Sequence, residues 1–292
     1  MYGARQAQAD ENMSHLIYLY AIVRAGQPDG TIRGRAQGVD DAAVEALVEG
    51  PLAALYSEVS LDVWGSEVLD EHVRNMDWLA PRATQHQEAL AALQAAGYGI
   101  LPLPFATLYH QADTVRDLLR ARQAELLAGL KRLERAEEWT LKVSQDPAVF
   151  DQHVEHLSPA LARAEEQSRA APPGKAYLLR KQMETLRRGE AVQVTARQSD
   201  EIEQRVIPLV EAAIREPITR QARTATAANQ QGDTTTRVVL KLALLLRQET
   251  RNTMQAQLAA IADDYSDFGY VFELAGPWPP YSFAEVDPEK DS

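Results

Sequence analysis

The sequence predicts an α+β protein of two domains, each a small antiparallel sheet with helices on one face, of ferredoxin-like type. Three observations carry that prediction. The latter half runs β-α-β-β-α-β, with all six elements visible. The first half follows a related order, with one strand less distinct. A very long helical pattern, Lys175 to about Arg215, belongs to the second domain.

The first strand is "LIYLYAIV", Leu16 to Val23, where every position is apolar and tyrosine and β-branched residues are frequent. Such a run suits a strand covered on both faces. "GQPDGTIRGRAQG" follows as a loop. Asp40 and Asp41 then suit the start of a short helix through Val48. "PLAALYSEVS" is a second strand, with Val63 and Trp64 as its possible continuation. A long helix is expected over Asp70 to Ala96, bent or broken near Ala80 by Pro81. "GYG", Gly97 to Gly99, ends it, and "ILPLPF" is a last strand.

A helix from Asp113 to about Arg135 joins the halves, with leucines at helical spacing. "EEWTLKVSQ" alternates as a strand does, Trp139, Leu141 and Val143 pointing one way. Asp146 and Pro147 suit a cap and first turn. "PPG", Pro172 to Gly174, precedes the long helix, which Gly189 and Pro208 are placed to bend. "ITRQARTATA", a turn at "NQQGD" and "TRVVLKLALLLRQ" form a hairpin, with Val238, Leu240, Leu242, Leu244 and Leu246 on one face. A helix from Thr250 to Asp264 leads to the final strand, Tyr270 to Leu274. The expected boundaries are 1–14 as a disordered extension, 15–109 as the first domain, 110–136 as a connecting helix, 137–283 as the second domain with a closing aromatic tail, and 284–292 as a disordered acidic tail.

Composition narrows the function. The formal net charge of -12 argues against nucleic acid and against anionic membrane surfaces. The 45% hydrophobic share over 292 residues supports two cores. No cysteine is present, which removes thiolate zinc sites and cysteine nucleophiles and fits a reducing cytosol. The longest apolar runs fall well short of the roughly 20 residues of a membrane helix.

Catalytic constellations do not assemble. His153 and His156 stand at i,i+3 with Asp151 and Glu155 nearby, a spacing that suits two metal ligands, but no third ligand is placed. Asp263 and Asp264 sit at a helix end before a turn. Gly30, Gly34 and Gly38 lack a nucleotide-binding context. Ser199 and Asp200 suit a cap or surface turn. No catalytic, cofactor-binding or metal-ligating residues are therefore assigned, and no cofactor is expected.

Two apolar stretches remain to be explained. In "YVFELAGPWPPYSF", Tyr270 to Phe283, three prolines space Trp278, Tyr281 and Phe283. Either these aromatics fold back to seal the chain's own core, or they form a docking strip for a partner. Leu103 and Phe105 of "ILPLPF" pose the same choice, as core strand or as an open edge. Leu103, Phe105, Trp278, Tyr281 and Phe283 are accordingly the candidate partner contacts.

Four stretches together, "LIYLYAIV", "ILPLPFATLY", "EEWTLKVSQD" and "YVFELAGPWPPYSF", resemble the gas vesicle proteins of the GvpF/GvpL family, nearly end to end. The closing G-P-W-P-P-Y is the most specific signal. The family usually carries Arg before, and Gly after, the Phe of the second stretch; here these are Pro104 and Ala106. Glycine often follows its central tryptophan, where this chain has Thr140. The resemblance implies two α+β domains and a non-enzymatic accessory protein of gas vesicle assembly, cytoplasmic and associated with the vesicle. The implied partners are the hydrophobic major shell protein, bound as by a chaperone or nucleator, and other accessory proteins. A minor structural component of the finished shell is the alternative, with a metal-dependent hydrolase using His153 and His156 behind it.

Overall fold

The computed structural model describes residues 14–26, 34, 36–218 and 236–284. These fall into two compact units, one within Met1–Glu138 and Pro277–Ser292, the other within Trp139–Gly276. Each contains a four-stranded sheet.

In the first unit the strands are β1 (His15–Arg24), β2 (Glu45–Glu49), β3 (Leu52–Ser60) and β4 (Ile100–Tyr109), in spatial order β2-β3-β1-β4. The second unit has β5 (Ala136–Gln145), β6 (Ala212–Arg215), β7 (Arg237–Arg247) and β8 (Tyr270–Trp278), in order β6-β7-β5-β8. The two orders are the same when strands are counted within each sheet. Both are antiparallel sheets of the split β-α-β type.

The apolar run of β1 is buried along its length, from Leu16 to Val23. A bulge at Tyr20 shifts the register against both neighbours. One extra residue reverses the alternation of sides. Leu16, Tyr18 and Tyr20 therefore share a cluster with Ala21 and Val23. Helix α1 spans Ser66–His72 and α2 spans Met76–Ala95. Leu90 and Leu93 of α2 complete that cluster.

Helices α3 (Ala112–Ala121) and α4 (Gln123–Arg132) occupy the segment expected to be a connecting helix. They pack on the first sheet. Ile100 belongs to the cluster with α2, while Leu101, its neighbour along β4, meets α4. A Cβ on Gly129 would stand 3.2 Å from Leu101 Cδ2, so the glycine lets α4 approach closely. Adjacent strand residues face opposite ways, so this sheet is covered on both sides.

Three elements that precede β4 differ from expectation. The segment after Asp41 forms β2, not a helix, because Glu45–Glu49 pairs with Leu52–Tyr56 across a turn at Gly50, whose φ is +57°. The long helix breaks at Val73–Asn75, not near Ala80. Asn75 accepts a 3.0 Å bond from the Asp77 N–H and restarts the helix as α2, with Pro81 retained inside it. Val63 and Trp64 form one helical turn, Leu61–Trp64, rather than prolonging β3.

In the second unit the Asp146 carboxylate accepts from the Ala148 N–H at 2.8 Å and opens α5 (Pro147–Leu157). Ser158 likewise opens α6 (Pro159–Ala170). The long helix α7 covers Pro173–Val206, 34 residues, or about 51 Å at the usual rise. It stops before Pro208, and β6 lies where the pattern extended the helix to Arg215. β6 pairs with β7, Ala212 opposite Leu245. The expected strand "ITRQARTATA" beyond Ile218 and the turn "NQQGD" lie outside the described residues, as do residues 1–13 and 285–292. Helix α8 (Arg251–Ser266) precedes β8. Leu141, Val143, Phe150, Val194, Ile202 and four leucines of β7 form the second core.

Candidate functional site

The strongest concentration of specific contacts in the first unit gathers where the closing segment meets α2 and β4. Tyr18 from β1 and His86 from α2 are buried, and Phe105 from β4 is half-buried. The Tyr18 hydroxyl lies 2.8 Å from His86 Nδ1, and the Ala106 N–H donates to it at 3.2 Å. His86 Nε2 lies 2.8 Å from the Tyr281 hydroxyl, which also accepts from Gln87 Nε2 at 3.2 Å.

Each of the two hydroxyls also accepts one N–H, Tyr18 from Ala106 and Tyr281 from Gln87, and each faces one ring nitrogen of His86, so a neutral ring accepts from one hydroxyl and donates to the other. Burial lowers His86 to about 4, against a raising contribution from the Leu103 carbonyl, so the ring is neutral at pH 7. Burial raises both tyrosine hydroxyls far above their ordinary range. The chain Ala106–Tyr18–His86–Tyr281 is thus a run of neutral groups with their partners in place.

Around it stand rings at contact distance. Phe105 lies edge-on to His86 at 5.9 Å, and Trp64 packs against Tyr18 at 5.0 Å. Trp64 donates to Asp40 at 2.8 Å, and Asp40 is paired with Arg82 at 2.7 Å. The closing segment is pinned further by Ser282, whose N–H and hydroxyl both donate to the Glu138 carboxylate, at 2.9 and 2.8 Å. The Phe283 carbonyl accepts from Arg132.

The five sequence candidates separate here. Leu103 is fully buried and Phe283 is 6% exposed. Phe105 and Tyr281 are half-buried, in contact with His86. Trp278 is 47% exposed. It ends β8, which runs four residues past the expected Leu274 and takes in Pro277. β8 is an edge strand, where a proline without an N–H is tolerated. Pro279 and Pro280 are buried. His86 itself was not singled out from sequence; a lone histidine in an alanine-rich helix carries no signal until Tyr18 and Tyr281 are placed beside it.

The other sequence features are occupied structurally. His153 packs edge-on to Phe268 at 5.7 Å, and His156 is exposed. Asp264 pairs with Arg205 at 2.6 Å. Ser199 lies within α7, buried, beside the Val239 carbonyl. Gly30 lies outside the described residues. Among the described residues no group of three or more His, Asp or Glu is placed to hold a metal ion. No helix among them is long and apolar enough to cross a membrane. A second polar cluster, in the second unit, joins Gln145 to the Tyr270 hydroxyl at 2.8 Å and Tyr270 to Gln198 at 2.7 Å. Burial pushes Tyr270 up to about 12.

Residues 16–285 match the family model described as gas vesicle synthesis protein GvpL/GvpF. The chain belongs to the GvpL/GvpF family. Both branches of the family are among its relatives. Gas vesicle protein L of Streptomyces sp. (strain CB03234) is 28% identical over 278 residues, covering 94% of each chain. Gas vesicle protein L2 of Halobacterium salinarum is 25% identical, covering 96% of this chain and 95% of the other. Gas vesicle protein F of the same Streptomyces strain is 25% identical, covering 92% and 99%. Among solved structures, GvpF from Anabaena sp. PCC7120 superposes with a TM-score of 0.63 at 19% identity, over 94% of this chain and 98% of that one. GvpF from Microcystis aeruginosa gives 0.62, also at 19% identity. The two-sheet α+β architecture is therefore that of solved GvpF/GvpL family members. Two of the three places where the resemblance departs, Pro104 and Ala106, flank Phe105 at the aromatic cluster, and Ala106 takes a φ of +61°.

Proposed function

We propose that this GvpL/GvpF protein acts in gas vesicle assembly without catalysis, binding the hydrophobic shell subunit and keeping it competent to assemble. The observation that carries the reading is the family match over residues 16–285. Supporting it, both ring nitrogens of His86 are taken up by tyrosine hydroxyls. The chain's acidic balance suits a protein that stays dispersed while holding an apolar partner. An interface of ~800 Å² per partner, at roughly 25 cal/mol per Å² of its apolar part, gives ample gross drive, much of it offset by lost freedom on association.

Of the five candidate contacts, Trp278 is the one with its ring open to solvent and its neighbours fixed, and it is the proposed centre of the shell-subunit contact. Tyr281 and Phe283 anchor the segment that presents it. The working location is the cytosol, against the growing vesicle, with other accessory proteins as further partners. The test is light scattering of purified shell subunit diluted from denaturant. The protein should suppress the rise in scattering near stoichiometric ratio, and Trp278→Ala should not. No suppression by the unsubstituted protein would sink the proposal.

A further inference from the structure

Helix α7 has two different halves. From Val194 onward its residues enter the second core. From Pro173 to Gln193 one side packs on α6, through Ala176 and its neighbours, and the opposite side is exposed. That exposed side carries Leu178, Gln182, Thr185, Gly189 and Val192 at i, i+4, i+7, i+11 and i+14, with no charge among them. Leu178 is 61% and Val192 65% exposed. Exposed helix faces ordinarily carry charge, and this stripe is about 21 Å long.

Two further observations show what fits it. The first is charge. Lys181 and Arg188, two turns apart, border the stripe on one side, and Lys175 stands at its N-terminal end. None of the three has an ion-pair partner among the described residues. Between Lys175 and Arg188 there are five basic residues and one acidic, Glu184, in a chain whose net charge is -12. On the other border Glu190 is engaged by the Ser158 hydroxyl at 2.6 Å. The second is Gly189. A mid-helix glycine costs roughly 1 kcal/mol relative to alanine. Here a Cβ would meet nothing within 4 Å, so internal packing does not require the glycine. Its effect is a notch in a shallow depression lined by Gln182, Thr185, Leu186, Glu190 and Gln193, where a second backbone can approach closely.

We propose that this stripe of α7 seats an amphipathic helix of another protein, one whose own apolar stripe is bordered by carboxylates. A straight face of this length, with a notch near its middle, has the form of a helix-packing surface. Carboxylates on the incoming helix meet Lys181 and Arg188. A second copy packing through the same face would set these cations against each other. An anionic lipid surface is the poorer match, because Gln182, Thr185 and Gln193 interrupt the apolar side and the rest of the chain is acidic. The inference is independent of the shell-subunit reading, since it concerns a different surface and an acidic partner.

The test uses the full chain and two synthetic helical peptides with one leucine–alanine stripe, bordered by glutamates in one and by lysines in the other. Binding is read by fluorescence anisotropy at low salt. The glutamate peptide should bind about tenfold or more tightly than the lysine peptide. Lys181→Glu with Arg188→Glu should reverse that order. Gly189→Leu should weaken the glutamate peptide by a similar factor while the melting temperature holds or rises, which separates loss of the notch from loss of fold. The proposal is overturned if neither peptide binds, if both bind alike, if Gly189→Leu binds unchanged, or if vesicles of anionic lipid bind where the glutamate peptide does not. Shell-subunit suppression in the scattering assay should survive Gly189→Leu, so failure of either proposal leaves the other standing.

Discussion

The Tyr281 hydroxyl lies 2.8 Å from Nε2 of His86, a residue 195 positions earlier in the chain. One hydrogen bond thus fastens the closing segment to the buried face of α2. Tyr281→Phe keeps the ring and removes the oxygen. It removes the partner of buried His86 at Nε2, at a cost of about 1–3 kcal/mol, while the exposed Gln87 amide turns to water. The urea midpoint should fall accordingly, with the denaturant slope unchanged.

His86 also sets a pH dependence. An unfolded histidine titrates near 6.5, while the folded ring is lowered to about 4 by burial. Between those values the unfolded chain takes the proton and the native chain does not. Stability is therefore full above pH ~6.5 and declines as the pH drops toward ~4, by roughly 3 kcal/mol across that window. Urea midpoints at several pH values should show the decline, and His86→Gln should flatten it. Ring resonances of His86 that titrate near 6.5 in the native protein would contradict the assignment.

Ala106 has a φ of +61°, a conformation that costs an L-residue about 1 kcal/mol or more and glycine little. The resemblance noted in the sequence places glycine at this position in the family. Ala106→Gly relieves that strain, partly offset by the greater freedom of glycine in the unfolded chain. The expected net change is a stabilisation of about 0.5–1 kcal/mol, read as a higher urea midpoint, provided the Ala106 N–H keeps its bond to Tyr18. A lower midpoint would mean that the Ala106 methyl makes a contact worth more than the strain.

How much of this was legible beforehand depends on the range of the cause. Runs that satisfy their own needs locally could be read. β1 is apolar throughout, Asp146 and Pro147 cap α5, and the β7 leucines alternate. Features settled by distant partners could not. β2 looks like a capped helix because Asp40 and Asp41 precede it; only pairing with β3 makes it a strand. Pro81 is the obvious helix breaker, yet Asn75 decides where the helix restarts, through a bond to Asp77. The G-P-W-P-P-Y segment was visible as unusual, but its division into anchors and an exposed ring depends on His86, Glu138 and Arg132, and none of these carries a motif.

That division yields a paired test. Phe283 is 6% exposed, and Phe283→Ala empties a packed site, at a cost of about 3 kcal/mol. Trp278, 47% exposed, should cost no more than about 0.5–1 kcal/mol on substitution by alanine. If Trp278 is the shell-subunit contact, Trp278→Ala melts close to the unsubstituted protein and loses suppression of scattering. Phe283→Ala lowers the melting temperature and, assayed well below it, retains suppression so long as Tyr281 and Ser282 hold the segment. If the segment serves only to close the first core, the order changes. Trp278→Ala would then keep full suppression, and any loss in either variant would track its melting temperature. Measuring both variants in both assays separates presentation of a ring from closure of a core, because the two roles predict opposite correlations between stability and activity.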